Sequence, residues 1–368
     1  MFTESQAGTI DACRFCFMCR HVCTLGVTTG NESDTPRGKG LILSRILQQY
    51  TGWNADLVES MYRCCLCGMC HAWCVGGYDM PSAVLAARRD IVEKGLEPAA
   101  ARQMRSNIEK TGNPFGLPAG DRFARVTCPR PPKKDASVVY YVGCDTAYHQ
   151  PEIANAFIAV LQRAGVDFKL LPEETSTGKP LTVLGYADAA RQIAEKLAES
   201  IRKTGCTVLV TTCPASYDAF LKDYSGLLDG IEILHATEYA ARLIKEGRLK
   251  PSKAYPAAIT PHDSDFLGRY NGIYDPIRGI LQSIQGVEVR EMSWTRDKAH
   301  SCGESAGVFS TLHPELGLML AARLVDEAKH TGACVLATTC PVTKRTLAAA
   351  KPDGIEVRDV IEILAETL

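Results

Sequence analysis

Nowhere in this 368-residue chain do about 18 successive residues stay apolar, so no segment reads as a membrane-spanning helix. An excess of charge is also missing. There are 41 Lys and Arg against 42 Asp and Glu, a net charge of −1, which leaves no overall field to draw the chain to nucleic acid or acidic lipid. The opening residues, MFTESQAGTIDACRF, show no basic stretch followed by an apolar one, so no secretory leader is expected. The first 125 or so residues contain no alternation of apolar and polar residues, which argues against a β-rich ferredoxin there. Cysteine, by contrast, is abundant. The chain has 16, and without a secretory signal they point to a reducing compartment where thiolates serve as ligands rather than as disulfides. The cytoplasm is the expected location, with peripheral membrane association only through a partner.

Eight of the cysteines fall into two copies of one spacing. Cys13, Cys16, Cys19 and Cys23 read C-x-x-C-x-x-C-x-x-x-C, and so do Cys64, Cys67, Cys70 and Cys74. Two such runs are the ligand set for two [4Fe–4S] clusters, and the fourth cysteine of each run ligates the other cluster. The expected sets are therefore Cys13, Cys16, Cys19 with Cys74, and Cys64, Cys67, Cys70 with Cys23. Structural zinc needs only two C-x-x-C pairs, and a disulfide framework belongs to small secreted domains. Cys65, Cys128, Cys206 and Cys334 have no partner spacing and are expected to pack as small apolar side chains.

The apolar spacing of Leu41, Ile42, Ile46 and Leu47 predicts a helix between the cysteine runs, and Pro81 and Gly95 bracket another. Residues 1–125 are expected to form an all-helical two-cluster domain, and residues 113–134 a Pro-, Gly- and Lys-rich linker. The remainder is duplicated: Val208-Leu-Val-Thr-Thr-Cys213-Pro returns as Val335-Leu-Ala-Thr-Thr-Cys340-Pro, and Asp229-Gly-Ile-Glu-Ile returns as Asp353-Gly-Ile-Glu-Val. Boundaries of 135–252 and 253–368 follow for the two copies. In the first, strands are expected from Ala136, from Asp167 and from Thr207, with helices over 153–164 and 186–204 between them. Strand alternating with helix predicts α/β units with parallel sheets covered on both faces. Cys144, Cys213 and Cys340 follow strand ends, where sites in such sheets lie.

These features resemble a known family. The N-terminal part is similar to the helical two-cluster ferredoxin domain of heterodisulfide-reductase C-type subunits. It is also similar to the iron–sulfur subunits of glycerol-3-phosphate dehydrogenase, glycolate oxidase and succinate dehydrogenase. Thr35-Pro-Arg-Gly38 resembles the family's S-P-R-G. The second part resembles paired CCG cysteine-rich domains, and the stretch from His262 to Arg278 is similar to the family's H-D-P-C-x-L-G-R and its continuation.

Within that resemblance, each CCG domain offers an early cysteine, a Cys-Cys-Gly and a C-P-x-C. The first copy keeps Cys144 and Cys213, has Ser176-Thr177-Gly178 in place of Cys-Cys-Gly, and has Ser216 in the last position. The second has Asp265 in the early position, Ser301-Cys302-Gly303 for the pair, and Cys340-Pro-Val-Thr343 for the end. Hydroxyls are poor substitutes for soft thiolates, so two disulfide-cleaving clusters are not expected. Asp265, Cys302 and Cys340, with His262 or His300, are the candidate set for a single zinc or iron ion, set against the alternative of a vestigial core. His149 and Lys179 are expected at the surface, and Ser216 as a helix cap.

The function implied is an iron–sulfur electron-transfer subunit. It would relay electrons between a flavoprotein dehydrogenase, or electron-transfer flavoprotein, and a second acceptor such as a quinone enzyme or an iron–sulfur protein. The duplicated half would be a docking platform for a partner or a bound flavin. The alternatives are a catalytic subunit of heterodisulfide or disulfide reductase type, and a partner-docking module with structural zinc.

Overall fold

The computed structural model describes residues 4–13, 16–130, 133 and 135–368. Up to Thr111 the chain is helical, with longer helices at Pro36–Leu47, Ala55–Tyr62, Met80–Glu93 and Ala99–Thr111. No strand precedes residue 138 among the described residues. Local chemistry sets the ends of these helices. Thr35 caps Pro36–Leu47 by accepting from the Gly38 amide at 3.0 Å, and Pro36 opens it. A Cβ on Gly38 would stand 2.2 Å from the Glu32 carbonyl oxygen, so the Pro-Arg-Gly word ends in glycine because two backbones touch there. Asp79 caps Met80–Glu93 in the same way, through the Ser82 amide at 3.1 Å.

Two four-stranded parallel sheets follow. The first contains β1 (Val138–Tyr141), β2 (Phe168–Leu170), β3 (Val208–Thr211) and β4 (Glu232–His235), in the order β2-β1-β3-β4. The second contains β5 (Ala257–Pro261), β6 (Val287–Val289), β7 (Val335–Thr338) and β8 (Glu356–Asp359), in the order β6-β5-β7-β8. Central strands are paired through Val138↔Val208 in one sheet and Ile259↔Val335 in the other. All four residues of β1 are buried, as a strand covered on both faces requires. The shared strand order accounts for the internal repeat. In each sheet the order reverses at the first central strand, which opens a crevice beyond the carboxyl ends of β1 and β3, and of β5 and β7.

The three parts pack as one body. A continuous core joins Tyr140, Phe157 and Leu161 of the first copy to Ile259, Ile280 and Val360 of the second. A second core joins Leu43, Met61, Val84 and Ile91 of the helical part to Leu181, Leu184, Phe266 and Val308. Among the described residues no helix is long and apolar enough to cross a membrane.

Candidate metal centres

The eight paired cysteines line two adjoining cavities. Cys13, Cys16, Cys19 and Cys74 line an outer one of about 510 Å³, and Cys23, Cys64, Cys67 and Cys70 line an inner one of about 420 Å³. Cys70, Pro36 and Met80 border both. The displaced fourth cysteine of each run therefore faces the other run's cavity. The outer cavity is bordered by exposed Cys16 and Val75, the latter 90% exposed. The inner one is walled by Leu25, Cys65, Leu66 and Met69, all buried.

Backbone amides point at four of the sulfurs: Met18 N to Cys16 Sγ at 3.5 Å, Gly26 N to Cys23, Leu66 N to Cys64 and Tyr78 N to Cys74, each at 3.4 Å. Such N–H···S bonds stabilise thiolate and tune a cluster held by it. Burial pushes the Cys13 thiol up to about 11 and Cys23 up to about 12. Burial also drives Cys70 well up, with crowding by neighbouring sulfurs adding to it. These thiols ionise only against a strong positive counter-charge, which iron supplies. Cys67 goes the other way, held down by the Cys65 thiol and by Arg269.

The second cysteine loop is gripped from outside the helical part. Arg269 Nε donates to the Cys67 carbonyl at 2.7 Å, and the Tyr270 hydroxyl donates to Leu66 O at 2.6 Å. Buried Arg88 donates to the carbonyls of Met61, Tyr62, Cys64 and Val183. A Cβ on Gly185, at φ +102°, would stand 2.6 Å from the Arg88 carbonyl group, so this helix and the first copy meet through glycine.

In the first copy, Cys144, Ser176, Thr177, Cys213 and Ser216 line one cavity of about 370 Å³ beyond β1 and β3. Arg122 stands beside it, 3.2 Å from Cys144 Sγ and 2.8 Å from Glu174. Cys144 remains above the usual thiol range because burial outweighs the nearby guanidinium. In the second copy, Asp265 is taken by an ion pair with Arg269 and by the Ser301 hydroxyl. Cys302 Sγ lies 3.6 Å from Thr343 Oγ1. His300 Nδ1 pairs with Glu327 at 2.6 Å, and His262 Nε2 meets the His300 carbonyl at 3.0 Å. Among the described residues, no three His, Cys, Asp or Glu side chains converge where one metal ion would sit. Asp265, Cys302 and Cys340, the candidate set for a zinc or iron ion, are not gathered in this way, and Asp265 is already engaged by Arg269 and Ser301, in keeping with the alternative of a vestigial core.

Two buried acids of the second copy carry a pH signature. Burial, reinforced by Asp265, raises Glu304 to about 8, and burial raises Asp359 to about 8 at the end of β8. Each holds its proton in the fold up to about 8, and in the unfolded chain only up to the ordinary carboxylate range near 4. Stability is therefore greatest at the acid end of that window and is lost as pH rises through it. Urea midpoints should fall between about pH 5 and pH 8, and Glu304→Gln with Asp359→Asn should flatten the slope.

Comparison with known proteins fits this geometry. The CCG cysteine-rich domain family matches residues 138–216 and again 259–347. Over 392 aligned residues the chain is 30% identical to the D-type subunit of the dihydromethanophenazine:CoB–CoM heterodisulfide reductase of Methanosarcina acetivorans, covering 100% of this chain and 96% of that protein. The chain belongs to the heterodisulfide-reductase-like family of CCG iron–sulfur proteins. A probable iron–sulfur-binding oxidoreductase, FadF of Bacillus subtilis, is 29% identical over 84% of this chain and 47% of its own length. The EtfAB:quinone oxidoreductase of Syntrophomonas wolfei is 30% identical over 68% of this chain and 37% of its own length. At the level these relatives share, the chain is an iron–sulfur electron-transport protein.

Within this family frame, several sequence expectations need correcting. Lys179 is buried rather than at the surface, paired with Asp218 at 2.6 Å and Asp223 at 3.1 Å, because the helix starting at Gly178 turns it inward. His149 is half-buried, its ring 4.3 Å from that of Phe115. Ser216 caps nothing: the helix Pro214–Asp218 is entered from Cys213, and Ser216 lies within it. Cys334 is exposed rather than packed. Residues 113–130 do more than link, since Asn113 is buried in its own hydrogen-bonded turn and Arg122 reaches Cys144. Reading the sequence missed Arg88, although a signal was present. It occupies an apolar-stripe position between Val84 and Ile91, where a solvated arginine would not be placed.

Proposed function

We propose that the chain carries two [4Fe–4S] clusters. One is ligated by Cys13, Cys16, Cys19 and Cys74, the other by Cys64, Cys67, Cys70 and Cys23, and they relay single electrons. The observation that carries this reading is the pair of adjoining cavities, which between them are lined by all eight of the motif's cysteines, Cys70 bordering both. The donor is a flavoprotein dehydrogenase or electron-transfer flavoprotein, and the acceptor a quinone enzyme or another iron–sulfur protein. The relative named for EtfAB and quinone supports that pairing. Helical cluster domain and α/β copies divide near residues 125 and 252, and the second copy braces the second cysteine loop through Arg269 and Tyr270. Cluster potential is set by ligation, burial and hydrogen bonds to sulfur.

A second reading, catalysis at a disulfide, is favoured by the heterodisulfide reductase relative that spans the whole chain. It requires thiolates where this chain has Ser176, Thr177, Ser216 and Thr343. Anaerobic iron analysis separates the two. About eight irons per chain fits two cubanes alone, and a clear excess, with a further paramagnetic centre sensitive to Cys213→Ser, favours the catalytic reading. Iron well below eight, with no cubane signal after dithionite, overturns the relay.

A further inference from the structure

Two buried cations stand beside the inner cavity, and among the described residues no carboxylate is bonded to either. Lys39 lines that cavity and is 1% exposed. Its Nζ donates to the carbonyls of Ser33 at 3.1 Å and Asp34 at 2.8 Å. The Asp34 carboxylate is taken by Arg63, in bonds of 2.7 and 2.6 Å. Arg88, also 1% exposed, sits over the Tyr62 ring, and its hydrogen bonds go to backbone carbonyls, the shortest being 2.5 Å to Cys64. Among the described residues it forms no ion pair. Arg269, third beside this loop, is neutralised by Asp265. Fixed charges around the inner cavity therefore sum to an excess of positive charge. Among the described residues, no charged side chain lines the outer cavity, and exposed Cys16 and Val75 border it.

A buried charge held only by carbonyl dipoles is costly unless a counter-charge lies nearby. A cubane with four thiolates is that counter-charge, a dianion when oxidised and a trianion when reduced. Burial alone disfavours the trianion. Fixed cations in the same low-dielectric wall act on it with little screening and favour it. We propose that Lys39 and Arg88 make the inner cluster the electron sink of the pair, with a more positive potential than the outer cluster. The outer cluster is then the point of exchange with partners. This rests on the two-cluster reading above. The step is one electron passing from the reduced outer cluster to the oxidised inner one, with no bond made or broken and no proton moved. Lys39 and Arg88 are positioning charges here, not ligands.

Redox titration of the anaerobic holoprotein, followed by electron paramagnetic resonance, tests this. Two one-electron waves are expected. The wave that survives in Cys16→Ser belongs to the inner cavity and should be the more positive. Lys39→Met and Arg88→Met should each move that wave negative by a factor of ten or more in the reduced-to-oxidised ratio, 59 mV for one electron, and leave the outer wave in place. Lys39→Arg and Arg88→Lys, which keep the charge, should restore it. Full iron content with an unmoved inner wave overturns the proposal, as do equal shifts of both waves. Should the Met variants take up no iron, the wild type decides: an inner wave more negative than the outer one overturns it. A protein with no cubane signals at all sinks the relay reading itself, an outcome distinct from either.

Discussion

If the chain carries the two clusters proposed above, Cys16→Ser is expected to remove one of them and halt electron transfer, with iron falling from about eight to about four per chain. A serine hydroxyl is a poor ligand for iron in a site built from thiolates. Cys16 is the exposed member of the outer set, 3.5 Å from the Met18 amide, and is not part of either large core. Its loss should therefore leave the α/β copies folded. Buried Leu25, Cys65 and Met69 wall the inner cavity, whereas exposed Cys16 borders the outer one, so the outer cluster is the one set at the protein surface for a partner. Iron analysis, the dithionite-reduced paramagnetic spectrum and reduction by a flavoprotein donor check this together. Full iron with undiminished transfer would count against the relay.

Glu174→Ala is expected to cost about 3–5 kcal/mol of folding stability, the range for removing one partner of a buried ion pair. Glu174 is fully enclosed. It pairs with Arg122 at 2.8 Å and accepts from the amides of Val142 and Gly143 at 2.8 and 2.9 Å. Truncation leaves the guanidinium without its carboxylate and two backbone amides unmatched at the end of β1. A second consequence distinguishes this from a generic loss of packing. Arg122 lowers the Cys144 pKa and Glu174 raises it, so without the carboxylate Cys144 should ionise at lower pH. Urea unfolding measures the first effect, and the pH profile of Cys144 alkylation measures the second. A loss of stability with an unchanged profile would show that Arg122 does not govern Cys144.

The cysteine runs were legible because ligand spacing is a local property. Three thiols two residues apart reach one cubane wherever the segment folds. The α/β copies were legible from strand and helix periodicity and from the repeated Thr-Thr-Cys-Pro words, and the structure has two sheets of one strand order. Lys179 and Ser216 were misread because the helices after Gly178 and Cys213 start at the crevice and turn these residues inward. Asp265 looked like a ligand in the sequence, yet Arg269 one turn later captures it.

By itself, the amino-acid order determined the iron–sulfur chemistry and the helical and α/β classes, since each depends on residues a few positions apart, and the duplication, since short local words recur along the chain. Only tertiary structure decided which cavity is walled by buried side chains and which is bordered by exposed ones, that Arg88 and Arg269 meet the loop at Cys64 and Cys67, and that Arg122 faces Cys144. Arg269 is some two hundred residues from the carbonyl it holds. Burial and charge balance are properties of the whole packed body, because a charge's cost depends on everything that excludes water from it.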